Sequence, residues 1–287
     1  MSAIYKRELR SYFCNMTGPI FAAFLLLITG IYTTALNFSG GYPGFEVVLS
    51  SVVFIFLLLI PIITMRSFSE DMHSGTDQLL YSLPLPLYRV VLAKYFAMAT
   101  VLLIPTGIMC LYPVILSFYG SVNFATAYGA ILAFFLLGCA LIAIGMFLSS
   151  LTESQVIAAV LTFGAFILMN LMNGLATLIP YTAAASLIAY LACAAVIGLL
   201  LYALTKNIPV AVSVGLIAAC GVAVVYLIDS APFAGSFQKL MSALALFDRF
   251  GNFANGIFDI TAIVYYVSVA GLFTFFTVQS MDKKRWS

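Results

Sequence analysis

The sequence predicts an all-α, polytopic integral membrane protein, and three observations lead there. Its residues are 64% hydrophobic and only 8% charged, with a mean hydropathy of +1.14, whereas a soluble domain is about 25% charged and 45–50% apolar. Apolar stretches of about 20 residues recur along the chain, the length a helix needs to cross a hydrocarbon core of about 30 Å. The charges gather between those stretches rather than inside them. No water-soluble core can hide so much apolar surface, so lipid is the solvent for most of it.

Ahead of the first span, IYKRELRSYFCNM (4–16) sets Tyr5, Leu9, Tyr12, Phe13 and Met16 at helical spacing, with Lys6, Arg7 and Arg10 elsewhere. This predicts an interfacial helix within 1–17. It lies on the inner face of the membrane or packs on neighbouring spans. About eight spans follow, over 18–37, 47–65, 91–118, 126–150, 154–178, 182–205, 208–228 and 259–279. The first is too long for the apolar part of a cleaved signal peptide and lacks a small-x-small site, so it reads as an anchor. Spans six and seven are parted only by TKNIP (205–209) and form two crossings or a hairpin that dips in and out. Before the last span, an outer loop over 230–258 leads into LFDRFGNFANGIFDI (246–260). That segment predicts an amphipathic helix with Phe247, Phe250, Ala254, Ile257 and Phe258 opposite Asp248, Asn252, Asn255 and Asp259.

Orientation follows from the bases in the loops. With the N-terminus in the cytoplasm, Lys6, Arg7, Arg10, Arg66, Arg89, Lys94, Lys206, Lys283, Lys284 and Arg285 fall inside, and only Lys239 and Arg249 outside. That bias predicts an even number of spans and two cytoplasmic termini.

Several functions are disfavoured by composition. A net charge of +2 and the absence of a basic run with interleaved aromatics, outside the C-terminal tail, argue against nucleic acid. Cys14, Cys110, Cys139, Cys193 and Cys220 are odd in number and scattered, which suits reduced packing residues better than a metal or disulfide set. His73 is the only histidine, and neither HExxH nor GxSxG occurs, so a catalytic site is not expected. An ion-coupled carrier would place an ionisable group at mid-membrane. Here Glu46, Glu153, Asp229 and Asp259 all sit near span ends, and Asn170 and Asn173 serve either helix–helix hydrogen bonding or substrate contact.

The densest polar island is RSFSEDMHSGTDQLLYSLPLP (66–86), within a cytoplasmic loop over 66–90. Ser69, Glu70 and Asp71 suit a helix start. Gly75 permits a break, Leu79, Leu80 and Leu83 make an apolar stripe, and Pro84 and Pro86 stop the helix. Such an element is either a capped re-entry helix with wet charges or a docking piece for a soluble partner. Pro61, Pro105 and Pro113, in the adjoining spans, are static kinks or points of bending.

The segment 63–95 resembles the signature of one permease family: the membrane subunits of ATP-binding-cassette exporters with the type V fold. The resemblance is to the gliding-motility and nitrous-oxide-reductase-maturation branch. It rests on Arg66, Glu70-Asp71, Ser74-Gly75-Thr76, Gln78-Leu79-Leu80, Leu83-Pro84 and Lys94, and on KRELRSYF (6–13), SSLTESQVIA (149–158), 247–266 and DKKRW (282–286). Family members commonly have six spans, so 180–228 stands out as an added pair. The resemblance implies that 66–86 contains a coupling helix seated on a separate ABC ATPase subunit, where ATP and magnesium would bind, with no cofactor on this chain. It further implies a second permease copy or close relative, and a place in a prokaryotic plasma membrane. The absence of any GxxxxGK[ST] phosphate loop agrees with a borrowed motor. A subunit that moves a bound partner protein without solute flux would carry the same loop.

Overall fold

The computed structural model describes residues 2–75, 86–178, 180–192 and 233–286, and among these every regular element is helical. Among the described residues six helices are long and apolar enough to cross a membrane: Thr17–Ser39, Phe45–His73, Leu87–Ser117, Phe124–Leu151, Gln155–Leu178 and Ile260–Lys284. They match the first five and the last of the expected spans. Expected spans six and seven lie largely outside the described residues, apart from a shorter apolar helix at Ala183–Ala192.

The chain divides into two compact units, Met1–Leu168 with Arg249–Ser287, and Met169–Asp248. In the first unit, α1 (Ser2–Cys14) turns at Met16, whose φ of 61° is left-handed, into α2 (Thr17–Thr33). This runs on as a π-helical turn, Thr34–Ser39. The second span is α3 (Phe45–Val52), a 3₁₀ turn and α4 (Phe56–Thr64), followed by the short α5 (Ser69–His73). The third is α6 (Leu87–Met109) and α7 (Leu111–Ser117). Pro113 has no N–H to give Met109 O, which accounts for the interruption there. Tyr128 donates to Cys110 O at 3.2 Å across the break. The fourth and fifth spans are α8 (Phe124–Leu151) and α9 (Gln155–Leu178).

The fourth span is the centre of the first unit. Its most apolar stretch is 72% buried, against 22% for the first span, and it packs on the second, third and last spans. Between helices in lipid, attraction comes from close packing more than from expelled water, so small residues mark the contacts. Gly138 and Gly145 are two turns apart on α8. A β-carbon on the first would overlap Leu102 Cδ2, and one on the second would overlap Thr64 Oγ1. Stacked near them, Phe134 meets Phe56 with ring centroids 4.3 Å apart and Phe250 at 6.3 Å.

Of the two expected interfacial helices, the first takes the packed alternative and the second does not form as one helix. α1 packs on α6: Tyr5 Oη bonds Thr100 Oγ1 at 2.9 Å and Tyr12 is buried. Only Phe13 and Met16 of its predicted stripe are exposed. The helix expected over 246–260 is not one helix. It breaks into a 3₁₀ turn, Asp248–Phe250, and a single helical turn, α12 (Gly251–Ala254). Gly256, at a φ of 75°, ends the helical run. Phe250 and Phe253 are buried, while Ile257 and Phe258 are exposed, so the predicted stripe does not exist as a face. Asp259 then caps α13 (Ile260–Trp286), accepting from Thr261 N at 2.9 Å and Ala262 N at 3.3 Å.

The second unit holds the end of α9, α10 (Ala183–Ala192) and α11 (Ser236–Leu244), a helix that lies ahead of the one expected over 246–260. Phe237 and Met241 of α11 pack with Ala176 and Met172. Within this unit Asn173 hydrogen-bonds Asp248, whose carboxyl is pushed above its usual range by partial burial. Asn173 thus ties α9 to the chain at Asp248.

Candidate functional site

The polar island begins where the second span ends, and its described part is held from four directions. The α5 turn opens without a cap from its own residues. Ser69 Oγ, expected to cap, donates back to Met65 O. The cap comes from the far end of the fourth span: Ser149 Oγ accepts from Phe68 N and Ser69 N, each at 3.2 Å, and donates to Met65 O at 3.2 Å. Two helix-start donors are thereby met by one hydroxyl on another helix.

Lys94 enters from the first turns of α6. Its side chain is 3% exposed. Nζ donates to Ser67 O at 2.7 Å, pairs with Asp71 Oδ2 at 2.8 Å and Glu8 Oε2 at 3.4 Å, and stands 5.2 Å from the centre of the Phe68 ring. An ammonium in such a place is tolerable only with counter-charges and hydrogen bonds together. Glu8 also accepts from Arg7 Nη2 at 2.8 Å, and that bond holds the Arg7 guanidinium above its usual pKa. The N-terminal helix is tied in once more by Tyr12, whose hydroxyl donates to Ile63 O at 3.2 Å. Burial raises the Tyr12 phenol far above its ordinary range, so it stays a donor.

Arg66 and Glu70 form a separate pair, with Nε and Nη2 each 2.9 Å from a carboxylate oxygen. They are one helical turn apart and partly exposed. Glu70 and Asp71 therefore point to different partners, the outward Arg66 and the inward Lys94. Ser74 donates to Glu70 O at 2.8 Å, and Gly75 leaves the turn at a φ of 68°. From the last span, Lys284 Nζ comes within 3.0 Å of Met72 Sδ.

Of the residues read from sequence, the structure thus joins Arg66 with Glu70 and Asp71 with Lys94. Ser74 and Gly75 shape the turn locally. Thr76, Gln78, Leu79, Leu80, Leu83 and Pro84 lie outside the described residues. Lys94 is enclosed, so a direct contact with a soluble partner is not open to it. Glu8, Tyr12, Phe68 and Ser149 belong to the site without having been expected there. A lone base beginning an apolar run was the available signal, since it demands an acid from elsewhere. Among the described residues no three His, Cys, Asp or Glu side chains come together in a way that could hold a metal.

Polar links at one end of the bundle thus join α1, α4, α6 and α8 to the turn after the second span. A family model described as ABC-2 family transporter protein matches residues 31–185, more than half of the chain, including Arg66, Asp71, Lys94 and Ser149 but not Glu8. No curated protein and no solved structure matches.

Proposed function

Because the chain belongs to the ABC-2 transporter family, we propose that it is the permease subunit of an ABC exporter, driven by ATP hydrolysed on a separate ATPase subunit. The observation that carries the reading is the enclosed Lys94, which links the polar turn, the N-terminal helix and the third span through Asp71, Glu8 and Ser67. A turn braced in this way moves as one piece with its helices.

In this reading the loop over 66–90 faces the cytoplasm, as the distribution of bases supports, and the motor docks on its outward side, Arg66, Glu70 and the stretch beyond Gly75. Lys94 and Asp71 are positioning residues behind that surface. Nucleotide-driven closure of the motor pushes the turn, and the second and third spans tilt between inward-open and outward-open states. Two permease chains, identical or closely related, form the pathway, and the chain itself binds neither ATP nor magnesium. The lack of central charge in the spans favours an amphipathic or apolar cargo. The features shared with the type V, gliding-motility and nitrous-oxide branch favour a prokaryotic plasma membrane.

The test is co-purification with a co-expressed ABC ATPase subunit. Glu70→Lys combined with Leu79→Asp should lower ATPase recovery at least several-fold while the permease still inserts. Full recovery would contradict the docking surface.

A further inference from the structure

A second polar cluster, in the connection between the first and second spans, has no part in the reading above. The first span closes in the π-helical turn Thr34–Ser39, a geometry that occurs mostly as short bulges, often at functional positions. Asn37 lies within it, 9% exposed. Its Nδ2 donates to Tyr42 O at 2.6 Å and to Gly44 O at 3.2 Å, which fixes the side of the amide that carries oxygen. Oδ1 is enclosed and accepts no hydrogen bond from a described residue. Glu46, in the first turn of α3, folds its carboxylate back over Gly44. A β-carbon on Gly44 would overlap Oε1 and lie 2.9 Å from Oε2. Oε2 is likewise enclosed and accepts no hydrogen bond from a described residue. Two enclosed acceptors therefore sit beside one glycine, Asn37 held there through its Nδ2 bond to Gly44 O and Glu46 through its folded carboxylate, and each needs a hydrogen-bond donor or a cation.

We propose that Asn37, Gly44 and Glu46 form a binding site for a sodium ion. The donors are all oxygen: a carboxylate, an amide, and the Gly44 carbonyl with its second lone pair. One negative charge balances one monovalent cation. Zinc draws nitrogen and sulfur ligands. Calcium gathers about six to eight oxygens, commonly from several carboxylates, and this cluster has one. Glycine at position 44 leaves the room that the folded carboxylate occupies. The ion fastens the start of the second span to the end of the first. Since the second span runs from α3 at Phe45 to the end of α4 at Thr64, the sodium site lies at its start and the braced turn just past its end. The inference does not rest on the transport reading.

The experiment uses the full-length protein in detergent, comparing its Tm in sodium chloride with that in choline chloride at equal ionic strength. Equilibrium dialysis with radioactive sodium counts the ions bound. Sodium should raise Tm saturably, with about one ion retained per chain. Glu46→Gln should abolish both effects, and Gly44→Ala should weaken binding at least ten-fold by displacing the carboxylate. An equal shift in Glu46→Gln, a shift with calcium alone, or no retained sodium in the unaltered protein would overturn the assignment. If Glu46→Gln fails to fold, dialysis of the unaltered protein decides.

Discussion

An ammonium group closed off from water needs its counter-charges, and Lys94 has two within 3.4 Å. Removing one member of such a set leaves an unpaired charge, at a cost of about 3–5 kcal/mol, whereas replacing all members by apolar side chains can be nearly neutral. Lys94→Met alone should therefore lower Tm sharply. The triple variant Lys94→Met, Asp71→Leu, Glu8→Leu should recover much of the loss, which thermal unfolding in detergent would show. Arg66→Ala, by contrast, breaks a partly exposed pair and should cost less than about 1 kcal/mol. Asp71 and Lys94 were legible as charges flanking apolar runs. Glu8 was not, because an acid on a basic amphipathic helix reads as part of a solvated face. Asp259 offers a pH test. The hydrogen bond from Asn252, at 2.8 Å, and those from Thr261 and Ala262 hold its carboxyl below the usual range. A lowered folded pKa stabilises above the unfolded value of about 3.9, and the benefit is lost as pH falls through the lower folded value. Asn252→Ala should then unfold at a lower Tm than the unaltered protein near pH 7, with the gap closing below about pH 4.

Among the elements, the six longest apolar helices were readable from hydropathy because lipid demands length and composition before anything else. What was not readable is how they meet. Ser69 followed by two acids looks like a self-capped helix start, yet Ser149 on the fourth span supplies the cap. Contact across the fold overrides the local signal there, and the residue pattern alone does not show it. Ser149→Ala should cost about 1 kcal/mol, typical of a lost cap, and should speed backbone hydrogen exchange at Phe68 and Ser69 more than at α6 residues such as Val101. Uniform exchange across both segments would argue against the trans cap. Residues 246–260 failed as a helix for a related reason. Their apolar spacing fits a helical face, but Gly256 and the Asp259 cap end one helix and start another.

At the scale of the whole molecule, one end of the first unit gathers the second half of α1, the turn after the second span, the start of the third span and the end of the fourth. The sequence showed a wet loop between two greasy segments; only packing shows it as part of a braced body. Six spans and family membership agree with a permease, while the pair expected over 182–228 lies mostly beyond the described residues. The central claim is that work from a separate motor enters at the turn after the second span. The direct measurement is a single cysteine at Ser74, with the native cysteines replaced, tested for crosslinking to the co-expressed ATPase subunit in sealed vesicles with and without ATP. The account predicts a crosslink whose yield changes with nucleotide. Labelling of that cysteine by an impermeant reagent from the outside, with no crosslink in either state, would contradict it.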